Sequence, residues 1–141
     1  MSTPSLLGPE WDTGGWMYLA LDLGATHVIK VGYTTDPRHR GKSHRRWGLT
    51  TVCQWAVSSE LVEADWHHDM RRYRRRAGDQ DTATRVELYD PHLPVVNSIM
   101  AEILRAEGAQ SILFAKGWNG DRVYRELDDR AMAFRMDEDW A

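Results

Sequence analysis

Tyr18, Lys30, Gly32 and Arg40 fall within one 25-residue stretch, WMYLALDLGATHVIKVGYTTDPRHR, and Glu63 and His67 follow on a later helical segment. The stretch reads as two short strands, a turn and a helix start, which brings its polar residues close together. A tyrosine, an arginine and a lone carboxylate gathered around a small sheet suit a one-metal phosphodiesterase site. Arg40 can offer a phosphate two parallel hydrogen bonds from its planar fork. Arg40, His44 and Trp47 share one helical face by their spacing. The neighbouring segment is almost wholly polar, and such a helix has little core to pack on. A solvated basic helix and an anion-contacting one both fit.

Glu63 lies at the flank of an apolar stripe made by Val62, Trp66, Met70 and Tyr73, about 60° from Trp66 at helical pitch. A carboxylate there is half-buried yet reachable, as a metal ligand must be. Glu60 points further into solvent and is the weaker candidate. On helical position alone an ordinary Glu63–His67 pair one turn apart is the better reading. Farther along the same helix, Arg71, Arg72, Arg74, Arg75 and Arg76 surround Tyr73. Basic residues in a last turn favour the helix dipole. Five exceed what that needs, which points to a phosphate-contacting edge.

The elements that must position these residues can be read from pattern. Strands are expected over 16–23, 27–33 and 49–57, with a turn at Gly24-Ala25-Thr26 joining the first two into an antiparallel hairpin. Gly32 inside a strand marks a close approach of other groups. Asp36 and Pro37 open a polar helix running to about Trp47. Ser58-Ser59-Glu60 caps a long helix over about 59–77. Residues 85–89 form a short extended segment. A helix opening at Pro94 and ending at Gly108 buries Val95, Val96, Ile99, Met100, Ile103 and Leu104. Residues 111–116 and 122–127 flank KGWNGD as a second hairpin, and the acidic tail 128–141 forms a short helix.

At 141 residues the chain fits one domain with a real core. Its single cysteine excludes a disulfide framework or a Cys-rich zinc site and suits a reducing compartment. No apolar run reaches the ~18 residues of a membrane span, and the first residues lack a signal peptide's pattern. A cytoplasmic location without membrane contact is therefore expected, with residues 1–15 as a flexible lead-in. The net charge of −3 hides an asymmetry. Residues 27–85 hold twelve Lys and Arg against seven Asp and Glu, whereas residues 86–141 hold six against eleven. A basic middle of this kind suits a polyanion such as DNA. The six histidines have no zinc spacing, and neither a phosphate-binding glycine loop nor a nucleophile-elbow string occurs.

In order and spacing these residues resemble the GIY-YIG nuclease superfamily, in particular a phage-type branch whose second motif reads Tyr/Phe-Lys-Ile-Gly. Trp16-Met17-Tyr18 matches the first motif, keeping the tyrosine. Ile29-Lys30-Val31-Gly32 matches the second. Arg40 follows that glycine by eight residues, and His44 comes four later. Glu63-Ala64-Asp65-Trp66-His67 matches a Glu-x-x-Leu-His helix motif, and Glu87-Leu88-Tyr89 a closing Glu-Trp-Phe. The likeness covers about residues 16–90.

That resemblance implies an α/β fold: a small, three-stranded, mainly antiparallel sheet flanked by helices, here with a C-terminal helix-plus-hairpin extension over 91–141 packed on the same domain. It implies a metal-dependent endonuclease hydrolysing phosphodiester bonds, with double-stranded DNA as substrate. Glu63 would bind one Mg²⁺ or Mn²⁺. Tyr18 would align or deprotonate the water, with Lys30 beside it to favour the ionised form. Arg40 would neutralise developing charge, and His44 and His67 would support proton transfer or phosphate contact. Gly32, Arg45, Arg46 and the arginines of 71–76 would contact substrate. Two other readings use the same residues differently. One is a non-catalytic nucleic-acid-binding module. The other is a protein that inhibits a nucleic-acid enzyme through its acidic tail.

Overall fold

The computed structural model describes residues 14–24, 27–36, 48–75, 87–109 and 111–140. Residues 1–13 of the expected lead-in, the helix expected over 36–47 with Arg40, His44, Arg45 and Arg46 (apart from Asp36), and also Arg76 lie outside the described residues, whereas Gly15 of the lead-in opens the first strand.

An antiparallel sheet forms the centre of the fold. Its strands are β1 (Gly15–Asp22), β2 (Ile29–Thr34), β3 (Leu49–Val57), β4 (Leu88–Tyr89) and β5 (Ile112–Phe114). They stand in the order β4-β2-β1-β3-β5. The three strands expected from pattern form its middle, and β4 and β5 extend each edge. The sheet therefore has five strands rather than three. β4, two residues long, falls within the short extended segment expected over 85–89, and β5, three residues long, within the hairpin arm expected over 111–116.

The β1–β2 connection is fixed locally. The Asp22 carboxylate accepts the Gly24 amide at 2.7 Å, an Asx-turn, and His27 adopts a left-handed φ of 53°. The register then places Tyr18 opposite Gly32 and Ala20 opposite Lys30. Residues paired across strands share a face, so Tyr18, Ala20, Lys30 and Gly32 line one side of the sheet. Met17, Leu19, Leu21, Ile29 and Val31 line the other and enter the main core. A register shift between Leu19 and Ala20 interrupts the β1–β3 ladder. Beside it the adjacent Val52 and Cys53 both join that core, as a bulge permits.

Three helices among the described residues complete the α/β fold: α1 (Glu60–Met70), α2 (Leu93–Ala109) and α3 (Gly120–Trp140). Ser59 caps α1, its hydroxyl accepting the Leu61 amide at 3.2 Å. The helix stops at Met70, well before residue 77. Arg71–Tyr73 tighten into a 3-10 turn, and Arg74 becomes extended and bridges Tyr89. The Arg75 amide then donates to the Leu88 carbonyl at 2.9 Å. Pairing with the sheet edge overrides the helical propensity of the arginine run. Helix α2 buries Val95, Val96, Ile99, Ile103 and Ala106, but leaves Leu104 exposed, contrary to the pattern reading.

The second hairpin is replaced by β5 and α3. Asn119 caps α3, its side-chain oxygen accepting the Arg122 amide at 2.8 Å. Val123, Leu127 and Ala131 then recur at helical spacing and are buried. RVYREL reads equally well as a short alternating strand, and that ambiguity produced the wrong expectation. The acidic tail continues the same helix rather than forming a short one of its own. Arg130, buried on α3, donates to the Asp22 carbonyl and pairs with Glu126 at 3.2 Å, tying α3 to the end of β1. No described helix is long and apolar enough to cross a membrane.

Candidate metal and phosphate site

The β1–β2 register sets one wall of the site. Tyr18 is fully buried, and its hydroxyl donates to Glu87 Oε1 at 3.2 Å. Lys30 is also fully buried, with Nζ 4.0 Å from Glu87 Oε2 and 6.0 Å from the centre of the Tyr18 ring. Gly32 explains how these groups converge. A Cβ there would overlap both Glu87 Oε1 and the Tyr18 hydroxyl. The glycine is required by close side-chain approach, since its φ is not left-handed.

Helix α1 supplies the opposite wall. Glu63 and His67 lie one turn apart, with Glu63 Oε2 3.4 Å from His67 Nε2. His67 is buried and its ring is fixed on several sides. Its Nδ1 is 2.7 Å from the Tyr89 hydroxyl, its ring stacks on Tyr89 at 5.7 Å, and Trp66 meets it edge-on at 5.4 Å. Trp66 in turn donates to Ser98 Oγ at 2.8 Å, anchoring α1 to α2.

Glu87 is the meeting point of the two walls. Together with Glu63 and His67 it offers donor atoms all within 4.8 Å of one another. His67 Nε2 is buried and makes no hydrogen bond. A buried imidazole nitrogen left in that state, facing two carboxylates, is what a cation site requires. The residues thus fit a divalent ion. Burial raises the Glu87 carboxyl above the usual carboxylate range. Lys30 opposes that rise, Glu63 adds to it, and His67 and the Tyr18 hydrogen bond oppose it. A cation here would relieve the repulsion between the two carboxylates. Glu63 and Glu87 keep 22% and 19% of their side chains exposed, against none for Lys30, so solvent reaches the site from the carboxylate side.

Of the residues singled out by sequence, Tyr18, Lys30, Gly32, Glu63 and His67 come together through Glu87. Glu87 itself closed the motif comparison without a role, and Tyr89 likewise. Glu87 and Tyr89 flank Leu88: Glu87 reaches Tyr18 and Lys30, whereas Tyr89 pairs with Ile29 and joins the main core. The arginines divide. Arg74 donates to the His67 carbonyl at 3.3 Å and approaches the Tyr89 hydroxyl at 3.5 Å. Arg75 pairs with Asp90 at 3.1 Å. Arg71 is exposed and donates to the His68 carbonyl at 2.6 Å, finishing α1. Arg72 is exposed, with its guanidinium 5.9 Å from the Tyr73 ring centre.

Comparison of the chain with family models, with curated proteins and with solved structures gives no match.

Proposed function

We propose that the chain is a metal-dependent endonuclease of GIY-YIG type that hydrolyses phosphodiester bonds in DNA. The observation that carries the reading is the convergence of Tyr18, Lys30, Glu63 and His67 on Glu87 around a glycine whose Cβ position is already filled by the Glu87 and Tyr18 side chains. Residues far apart in sequence meet at one partly open point, with a phenol, a cation and carboxylates in reach of one another.

Each group has a task in that chemistry. Glu63 holds a divalent cation, with His67 and Glu87 beside it. When bound, such an ion stabilises charge on the phosphate and on the leaving oxygen. Tyr18 orients the attacking water through its hydroxyl oxygen. Glu87 accepts the Tyr18 proton in a hydrogen bond and so fixes the direction of that oxygen's lone pairs. Lys30, immobilised in the sheet, is a fixed positive charge beside the phenol and needs no reorganisation during reaction. Arg40, carried over from the resemblance, neutralises the phosphate. The basic stretch of residues 27–85 supplies electrostatic attraction to the DNA backbone.

Supercoiled plasmid tests this directly. The wild-type protein should nick it with Mg²⁺ or Mn²⁺ and stop on chelation. Tyr18→Phe should lose most of that activity while binding DNA normally. Failure to cleave under any divalent ion, with DNA still bound, would favour a non-catalytic module.

A further inference from the structure

Two carboxylates and one imidazole form a different donor set from the lone carboxylate that the motif comparison supplies. We propose that Glu63, His67 and Glu87 act together as a three-ligand site for a single first-row transition-metal ion, Mn²⁺ or Zn²⁺, in preference to Mg²⁺. The inference rests on the reading of this point as a metal site and specifies which ion it takes.

Geometry supports joint ligation. An ion bound at about 2.0–2.2 Å by each donor draws its ligand atoms to roughly 3–4 Å of one another. The three donors already lie within 4.8 Å, and Glu63 Oε2 and His67 Nε2 are 3.4 Å apart. Side-chain rotation of about an ångström therefore closes the set on an ion. His67 Nε2 is buried, makes no hydrogen bond and has only a 3.4 Å approach to Glu63 Oε2, so ligation gives that nitrogen a full partner.

The surrounding contacts suit ligation too. A metal-binding imidazole usually donates its other N–H to a fixed oxygen, which sets the tautomer and the ring's direction. The Tyr89 hydroxyl stands 2.7 Å from Nδ1 and can accept that proton. Glu87 is held by Tyr18 through one oxygen and faces Lys30 through the other. A carboxylate with both oxygens placed retains lone pairs for a metal.

Donor chemistry gives the preference. Mg²⁺ favours all-oxygen, octahedral surroundings and keeps several waters. Imidazole nitrogen adds little for Mg²⁺, a modest amount for Mn²⁺ and most for Zn²⁺. A mixed nitrogen–oxygen set inside a largely buried pocket accordingly selects Mn²⁺ or Zn²⁺.

Equilibrium dialysis of the DNA-free protein against MnCl₂, ZnCl₂ or MgCl₂ tests this without relying on activity. One Mn²⁺ or Zn²⁺ per chain is expected, bound at least ~10-fold tighter than Mg²⁺. His67→Gln and Glu87→Gln should each weaken Mn²⁺ binding by about 10- to 100-fold. Glu63→Gln, on the partly exposed flank of α1, provides a third ligand variant with little risk to folding, and circular dichroism checks all three. Equal affinity for Mg²⁺ and Mn²⁺ would overturn the proposal. So would wild-type Mn²⁺ affinity in folded His67→Gln and Glu87→Gln. Plasmid cleavage, measured separately, distinguishes the two claims. Tight three-ligand binding without cleavage removes the nuclease reading alone. Cleavage with Mg²⁺ by folded His67→Gln at wild-type rate removes the three-ligand site alone.

Discussion

At the scale of single residues, Glu87 and Gly32 bear the heaviest constraints. Gly32→Ala would push a methyl group into the space held by Glu87 Oε1 and the Tyr18 hydroxyl. Both obstacles are side-chain ends, so the chain can yield, and overpacking of this kind costs about 1–3 kcal/mol. The expected outcome is a folded, destabilised protein that has lost the Tyr18–Glu87 hydrogen bond and most of its activity. Thermal denaturation combined with a cleavage assay checks it; wild-type activity in Gly32→Ala would mean the contact has no role. Cys53 offers a second residue-level test. Burial pushes its thiol up from the ordinary 9.0 to about 12. The native state therefore holds the proton while the unfolded chain releases it, and stability falls as pH rises from about 9 toward 12. Below that window the thiol should resist alkylating reagents until the protein unfolds. Rapid labelling of the folded protein at pH 8 would contradict the buried placement. The residues that meet at the candidate site were the most legible part of the sequence. Tyr18, Lys30, Gly32, Glu63 and His67 each sit in a distinctive local pattern. Glu87 was harder to see, because its importance comes from contacts with Tyr18, 69 positions away.

At the scale of elements, the arginine-rich end of helix α1 divides into side chains engaged within the fold and exposed ones. Arg74 and Arg75 join α1 to β4 through the His67 carbonyl and Asp90, whereas Arg71 and Arg72 are exposed. Replacing Arg71 and Arg72 together by alanine should weaken DNA binding similarly across sequences. It should also reduce the slope of log affinity against log salt by roughly one to two units. Arg74→Ala should instead lower thermal stability. An unchanged slope in the double variant would take this edge out of the DNA-binding surface. Middle strands were readable because β1, β2 and β3 are long enough for pattern to speak; β3 spans Leu49–Val57, as expected. The premature end of α1 was not readable. It depends on Arg74 pairing with Tyr89, a contact between segments distant in sequence. Mistaking α3 for a hairpin has a local cause instead: six residues, RVYREL, fit both periods until Leu127 and Ala131 extend the helical one.

At the scale of the whole molecule, the C-terminal part contributes to the same core as the candidate site. β5 pairs with β3 from Cys53 to Trp55, and Val123, Leu127 and Ala131 share a core cluster with Leu19, Ile29 and Tyr89. Deleting residues 111–141 should therefore abolish cooperative unfolding and expose the sheet. A cooperative thermal transition in the truncated chain would show that residues 1–110 fold without it. The charge asymmetry belongs to this scale also. The basic stretch lies in the first two-thirds of the chain, and the acidic residues concentrate in the last third. A single comparison tests the central claim most directly: the rate at which supercoiled plasmid is nicked by the wild type and by Glu63→Ala under saturating Mn²⁺. Alanine preserves the helix, so the variant should fold and bind DNA but cleave at least ~100-fold more slowly, a loss of about 2.7 kcal/mol of transition-state stabilisation. Equal rates in the two proteins, or no cleavage by the wild type, would contradict the account.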